Sequence, residues 1–327
     1  MPVLLTEKDV RDVLSMDDLI AAMETSLDRF SGGSVRQPLR TVVDVASRHA
    51  FFGVMPAFID GAEAALGAKL VSVYHSNAAQ GLPSHLATIV LFDPDTGALR
   101  ALIDGRYITE ARTAAASAAA TKHLARGDAR VLAVFGSGVQ ARSHIDALVR
   151  VRPIDEIRIW SRNPAHVEGL IDEMTPRVRG RLVRAASGPD ASRGADVVAL
   201  VTASREPVLK REWVAGGTHI CAVGACRPDQ REMDTALMKD ARVFVDSRVG
   251  ALAEAGDIVI PMKEGAIDAS HIVAEIGEVC GGRAAGRRSP SEITVFKSLG
   301  MAVEDVAAAH LAFDRASERG LGRGFVL

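Results

Sequence analysis

The period of the apolar positions changes along the chain, and the changes mark out its elements. Near the N-terminus the spacing is helical. Thr6 and Ser15 each precede a helical pattern and each has an acid three residues on, Asp9 and Asp18, as a helix cap requires. The second helix carries Ile20, Met23, Leu27 and Phe30 along one side and stops at Gly32-Gly33. Strand-like runs follow at 40–45, 51–58, 66–74, 85–92 and 98–103. Turn signals such as Ile59-Asp60-Gly61 and Asp93-Pro94-Asp95-Thr96-Gly97 separate them. No helix of length intervenes, so these strands are expected to pair antiparallel in one sheet.

The composition then shifts. Residues 108–124 read ITEARTAAASAAATKHL, rich in the strongest helix former, and predict a long helix crossing between domains. Beyond it, apolar runs at 131–135, 156–160, 181–185, 196–202, 219–224 and 242–246 alternate with helical or irregular stretches. That alternation predicts a doubly wound parallel sheet. A last helix spans 301 to about 319. Such a domain is complete by about residue 300, so the last helix is expected to return to the first domain. The expected division is an α+β domain of 1–120 with 302–327, and a Rossmann-type α/β domain of 121–301.

The first turn of the parallel region carries chemistry. The strand 131–135 runs into Gly136-Ser137-Gly138-Val139-Gln140-Ala141, a G-x-G-x-x-A fingerprint. Gly136 can make the tight turn, Gly138 leaves room for a pyrophosphate, and Ala141 lets the helix pack closely on the strand. The helix N-terminus offers unpaired N–H groups to phosphate. A helical stretch and a second strand complete a βαβ unit. That strand ends at Ser161-Arg162-Asn163, where an NAD site usually has an acid. Arg162 can pair with a 2′-phosphate, with Ser161 and Asn163 adding hydrogen bonds. This reads as NADPH, with NADH possible.

Bulk properties narrow the field. The 327 residues suit about two domains, and a net charge of −2 gives no reason to expect nucleic acid or a membrane surface. No apolar run reaches membrane length, and MPVLLTEKDV lacks the features of a signal peptide. Cys221, Cys226 and Cys280 form no metal or disulfide pattern, which points to the cytoplasm. No metal site is expected. A nicotinamide enzyme needs placement, charge stabilisation and a proton source. Arg40, Lys69, His85 and Arg112 are the candidates. Lys69 interrupts an apolar strand, so it either snorkels at an edge or sits in a pocket that lowers its pKa. The bland alternative for Arg112 is an ion pair with Glu110 or Asp104.

Several stretches together resemble the ornithine cyclodeaminase/mu-crystallin family over essentially the whole length. They are Gln37-Pro38-Leu39-Arg40-Thr41, Gly53-Val54-Met55-Pro56-Ala57, Pro83-Ser84-His85, ITEARTAA at 108–115, the GSGVQA loop, Gly224-Ala225-Cys226-Arg227-Pro228-Asp229, and the run FKSLGMAVED at 296–305. The last run and the strand end RIWSR are most similar to the family's NADPH-dependent ketimine reductase branch. The resemblance implies a homodimer of two-domain subunits. It implies that Arg40, Lys69, Arg112 and Glu254 act on the substrate, the cations gripping its carboxylate. Ser84, His85, Arg112 and Thr113 would border the nicotinamide; Gly136, Ser137, Gly138, Val139 and Gln140 the pyrophosphate. Ser161, Arg162, Asn163 and His166 would hold the 2′-phosphate end, and Thr202, Ala203, Val223 and Ser298 the rest of the cofactor. One position departs from the family: ornithine cyclodeaminases and alanine dehydrogenases carry Asp where this chain has Cys226. A mostly uncharged thiol is a poor ammonium partner, which favours a substrate whose nitrogen is already a cyclic imine. The expected activity is therefore NAD(P)H-dependent reduction of cyclic ketimine carboxylates. The alternatives are ornithine cyclodeamination and non-catalytic binding of NADPH and a small ligand.

Overall fold

The computed structural model describes residues 1–326, apart from the side chains of His75 and Ala78. Backbone contacts divide the chain into two units, Met1–Arg112 with Met301–Leu327, and Thr113–Gly300.

The first unit is an eight-stranded sheet with helices. Its order is Arg323–Gly324, Val3–Leu5, Leu99–Asp104, His85–Phe92, Ala65–Tyr74, Ala50–Ile59, Val35–Arg36, with Thr41–Val45 also pairing Ala50–Ile59. The predicted strands pair antiparallel. One pairing differs: Val3–Leu5 runs parallel to Leu99–Asp104. Its three residues, like the two-residue strands Val35–Arg36 and Arg323–Gly324, are too short to show a period of two.

Burial alternates cleanly along the central strands. Gly53, Met55, Ala57 and Ile59 are buried, as are Gly67, Lys69 and Val71, while Val54, Pro56, Ala68 and Leu70 are half exposed. Against the buried face packs the helix Ala302–Glu318, with Met16–Ser31 beside it. Thr6 and Ser15 cap the two N-terminal helices through their side-chain oxygens, as predicted. Gly67 lies where this helix crosses the sheet; a Cβ there would stand 2.6 Å from the Val90 carbonyl oxygen.

The second unit is a parallel sheet of eight strands. Its order is Arg181–Arg184, Glu156–Trp160, Val131–Phe135, Val197–Leu200, His219–Ala222, Thr294–Lys297, Arg242–Val245, Ile272–Glu275. Every pairing within it is parallel. The central strands Val131–Phe135, Val197–Leu200 and His219–Ala222 are buried on both faces, so they read as largely continuous apolar runs. The chain winds outward in one direction from Val131–Phe135 and in the other from Val197–Leu200, which makes their junction the switch point of the sheet. Two strands were not anticipated. Ile272–Glu275 is short, and Thr294–Lys297 holds a charged residue that hides its strand character. The helix Gly105–Leu124 begins three residues before its predicted start. Six of its alanines are fully buried and the division between the units falls within it, after Arg112.

Lys297 is fully buried, with Nζ 3.0 Å from Asp257 Oδ2 and donating to the Ala225 carbonyl at 2.6 Å. Substituting Lys297→Met removes one partner of a dry ion pair and strands the other, which costs about 3–5 kcal/mol. Urea unfolding at pH 7 should show a loss of that size; an unchanged unfolding midpoint would mean that Asp257 does not depend on this cation.

Candidate active site

Within the first unit, two of the residues expected to handle substrate, Lys69 and Arg112, meet in a buried charge cluster, whereas Glu254 belongs to the second unit. Lys69 lies on Ala65–Tyr74, an interior strand paired on both sides, so the edge alternative does not apply. Its ammonium is 2.6 Å from Asp305 Oδ2. Arg112 Nε donates to Asp305 Oδ1 at 2.8 Å and Nη1 to Glu304 Oε2 at 2.5 Å. All four side chains are buried, Glu304 and Asp305 completely. The local alternative for Arg112, a pair with Glu110 or Asp104, is therefore replaced by a pair with acids far along the chain. Two carboxylates balance Lys69 and Arg112, and Arg40 adds a further positive charge.

Electrostatics sort these groups by role. Burial pushes the Lys69 ammonium down to about 8; Asp305 opposes that shift, and Arg112 and Arg40 reinforce it. His85, at the start of His85–Phe92, is pushed down to about 4 by burial and then by Lys69 and Arg112, so it is a neutral imidazole near pH 7. Burial opposes the Arg112 charge, yet Asp305 and Glu304 more than offset it and raise its pKa. Asp305, despite burial, is held below the usual carboxylate range by Arg112 and Lys69. Gln37 fixes the approach of Arg40: its Oε1 accepts from the Val303 amide at 2.8 Å, tying the segment before Arg40 to the helix that bears Glu304 and Asp305. Ser84, next to His85, accepts from the Tyr74 amide through its carbonyl at 2.8 Å.

Sequence reasoning missed Glu304 and Asp305 as functional residues. Acids in a helix's first turn ordinarily complement the dipole in water, which masked them. The available signal was two adjacent charges at the head of a helix, followed directly by Val306 and Ala307-Ala308-Ala309.

Within the second unit, a cavity of about 190 Å³ opens at the switch point, lined by Gly136, Ser137, Trp160, Ser161, Arg162, Val201, Thr202, Ala203, Ser204 and Val208. It brings together six of the residues expected to bind the cofactor. Gly136 has φ +125°, and a Cβ on it would stand 2.8 Å from the Val201 carbonyl oxygen. Gly138 caps Val139–Val151 with no side-chain hydrogen bond, and a Cβ there would meet nothing within 4 Å. The fingerprint glycines thus do what a dinucleotide needs: a turn that excludes side chains, then open backbone before a helix N-terminus. Ser137 Oγ donates to Ser161 Oγ at 3.1 Å, joining the two loops. Arg162 is exposed on the cavity wall.

Other expected residues lie off that wall. Val139 is 53% exposed at the helix start, and the Gln140 carbonyl bonds to the His144 ring at 2.8 Å. Asn163 Oδ1 caps Pro164–Met174 by accepting from Ala165 N at 3.1 Å, and His166 is exposed in that helix's first turn. Val223 and Ser298 are buried; the Ser298 hydroxyl donates to Asp246 at 3.4 Å. Glu254 ends Arg248–Glu254, and Thr113 is buried on Gly105–Leu124.

A parallel doubly wound sheet with a glycine turn at its switch point defines a dinucleotide-binding α/β protein. A family model for the ornithine cyclodeaminase/mu-crystallin family matches residues 1–320, and the chain belongs to that family. It is 44% identical over 317 residues to the ketimine reductase mu-crystallin of Rattus norvegicus, covering 96% of this chain and 97% of the relative. Among solved structures, Thermococcus litoralis Δ1-pyrroline-2-carboxylate reductase, in complex with NADH and L-proline, superposes with a TM-score of 0.96 at 40% identity, covering 99% of this chain and 100% of that one. An archaeal alanine dehydrogenase dimer with bound NAD gives 0.94 at 32% identity, covering 100% and 99%.

The Lys69 shift carries a stability signature. In the unfolded chain its amine titrates near the ordinary 10.5, in the folded chain near 8. Between those values the unfolded state binds the extra proton, so stability should rise with pH there, by up to about 1.4 kcal/mol per pH unit. Denaturation of the wild type and Lys69→Met across that window should show the variant lacking this increment. Parallel curves would place the Lys69 titration elsewhere.

Proposed function

We propose that this protein reduces cyclic ketimine carboxylates, Δ1-pyrroline-2-carboxylate to L-proline and Δ1-piperideine-2-carboxylate to L-pipecolate. NADPH is the preferred reductant and NADH the second. The observation that carries this reading is a buried lysine, paired with Asp305, whose proton is held at about pH 8. An acid of that strength is protonated at neutral pH and still able to give its proton up. Neutral His85 cannot fill that role.

Reduced nicotinamide supplies the hydride that the imine carbon receives. The chain supplies the rest. Lys69, directly or through a water, gives the imine nitrogen its proton, because an iminium accepts hydride far better than an imine. Arg40 and Arg112 oppose the substrate carboxylate, and Glu254 takes part at the substrate. Asp305 and Glu304 keep Arg112 charged and Lys69 aimed. The bonds balance: carbon gains the hydride, nitrogen the proton, and the C=N bond becomes C–N. On the cofactor side, Gly136, Ser137, Gly138, Val139 and Gln140 serve the pyrophosphate, and Ser161, Arg162, Asn163 and His166 the 2′-phosphate end. Thr202, Ala203, Val223 and Ser298 serve the remainder, with Ser84, His85, Arg112 and Thr113 toward the nicotinamide.

The first unit is assigned to substrate and dimerisation, the second to the cofactor. The sheet face opposite Lys69 supports a homodimer. Phe52, Val54, Pro56, Leu70 and Leu86 leave it apolar and half exposed or exposed, a surface suited to covering by a second copy. No helix among the described residues is long and apolar enough to cross a membrane. Cys221, Cys226 and Cys280 form no disulfide, which fits the cytoplasm.

Mixing protein, NADPH and each imine should consume cofactor absorbance. Lys69→Met should lower kcat on the order of a hundredfold or more while leaving NADPH affinity unchanged. No oxidation with either imine, or ammonia released from L-ornithine without net reduction of cofactor, would overturn the reading. Arg162→Ala should weaken NADPH on the order of tenfold to a hundredfold by removing a charge-assisted contact, with NADH unaffected. Equal loss for both cofactors would remove Arg162 from the 2′-phosphate.

A further inference from the structure

Behind the cofactor cavity sits a carboxylate that neither the fingerprint nor the substrate chemistry uses. Glu232 is completely buried. Its Oε1 accepts from the Thr202 amide and from the Thr202 hydroxyl, both at 2.7 Å. Its Oε2 accepts from the amides of Gly224 at 2.8 Å and Ala225 at 3.2 Å. Thr202 follows the strand Val197–Leu200, and Gly224 and Ala225 follow its neighbour His219–Ala222. One side chain therefore ties together the loops leaving two adjacent strands, on the side of the switch point where the cavity opens.

The rest of Glu232 is anchored too. Its own amide donates to Asp257 Oδ1 at 2.8 Å. Its carbonyl accepts from Val208 at 2.8 Å and Leu209 at 2.9 Å, and Val208 lines the cavity. Asp257 is held in turn by Lys297, whose ammonium also binds the Ala225 carbonyl. Burial pushes the Glu232 carboxyl up to about 7, with Asp257 adding to that, while Lys297 and the Thr202 hydrogen bonds pull it back toward the ionised form that four converging donors favour. The loops fit this carboxylate closely: a Cβ on Gly224 would fall 1.8 Å from the Thr202 carbonyl oxygen, so the two segments touch backbone to backbone.

We propose that Glu232 is a positioning residue for the nicotinamide cofactor, setting the spacing of the Thr202 loop and the Gly224-Ala225 loop that shape its pocket. The inference rests on the reading of this cavity as the cofactor site. No other side chain type fits the task. Glutamine would turn an N–H₂ group toward donors at one end, whichever way it lies, and release one loop. Aspartate is one methylene too short to reach both.

Glu232→Gln, Glu232→Asp and Thr202→Val, with the Gln/Val double variant, test this in the holoenzyme, using NADPH and Δ1-pyrroline-2-carboxylate. Glu232→Gln should raise the NADPH KM and Kd roughly tenfold, with kcat at saturating cofactor within about twofold to threefold and the imine KM unchanged. The double variant should be less impaired than the product of the singles, because the Thr202 hydroxyl and Glu232 act through one contact. Glu232→Asp keeps the charge beside Lys297 and serves if the Gln variant does not fold; it should show the same split. Unchanged cofactor affinity in the variants overturns the proposal. So does a loss spread equally over NADPH, imine and kcat with a lowered melting temperature, which marks a merely structural group. A wild type that neither binds nor oxidises NADPH removes the underlying reading, and with it this one.

Discussion

Two pairs of opposite charges, Lys69 and Arg112 with Asp305 and Glu304, are sealed under the helix Ala302–Glu318, and the first unit is organised by the need to keep them together. An isolated charge at such depth is very costly; a pair with its hydrogen bonds made is tolerated, and loss of one member is not. The helix that carries the acids comes from the far end of the chain, and the strand and helix that carry the cations come from its first half. Bringing those segments to one place is what makes the first unit discontinuous. The same balance adjusts the chemistry. Burial lowers the Lys69 pKa and Asp305 raises it, and with Arg112 and Arg40 nearby the balance stands at about 8. That balance leaves a proton that can be transferred.

The second unit uses the same device for a different end. Glu232, Asp257 and Lys297 are buried ionisable groups that contact backbone rather than one another alone. A parallel sheet ends in loops whose amides have no ladder partners. At this switch point a carboxylate supplies acceptors for them, so the loops reach the cavity in one arrangement. Cys226 lies in this neighbourhood and its thiol donates to the Val223 carbonyl at 3.2 Å.

His85 shows why charged neighbours matter more than residue type. An imidazole beside a carboxylate would be the obvious proton donor. Beside Lys69 and Arg112 and half-buried, it stays neutral and can only offer or accept a hydrogen bond. Lys69, by contrast, is a cation of this cluster whose pKa is lowered, to about 8.

Features set by neighbours in the chain could be read from the chain alone. The Thr6 and Ser15 caps, the alternation in 65–74 and 85–92, the doubly wound sheet and the glycine turn at 136–138 all depend on residues a few places apart, where period and backbone freedom decide the outcome. The partners of Arg112 could not be read this way. Glu110 and Asp104 lie near it in sequence, whereas Glu304 and Asp305 lie 192 and 193 residues away. Nor could the depth of Lys69, the hidden strand Thr294–Lys297, or the task of Glu232. A charge in an apolar run reads as an interruption until its counter-ion is in place, and folding supplied that counter-ion from elements with no local link to it.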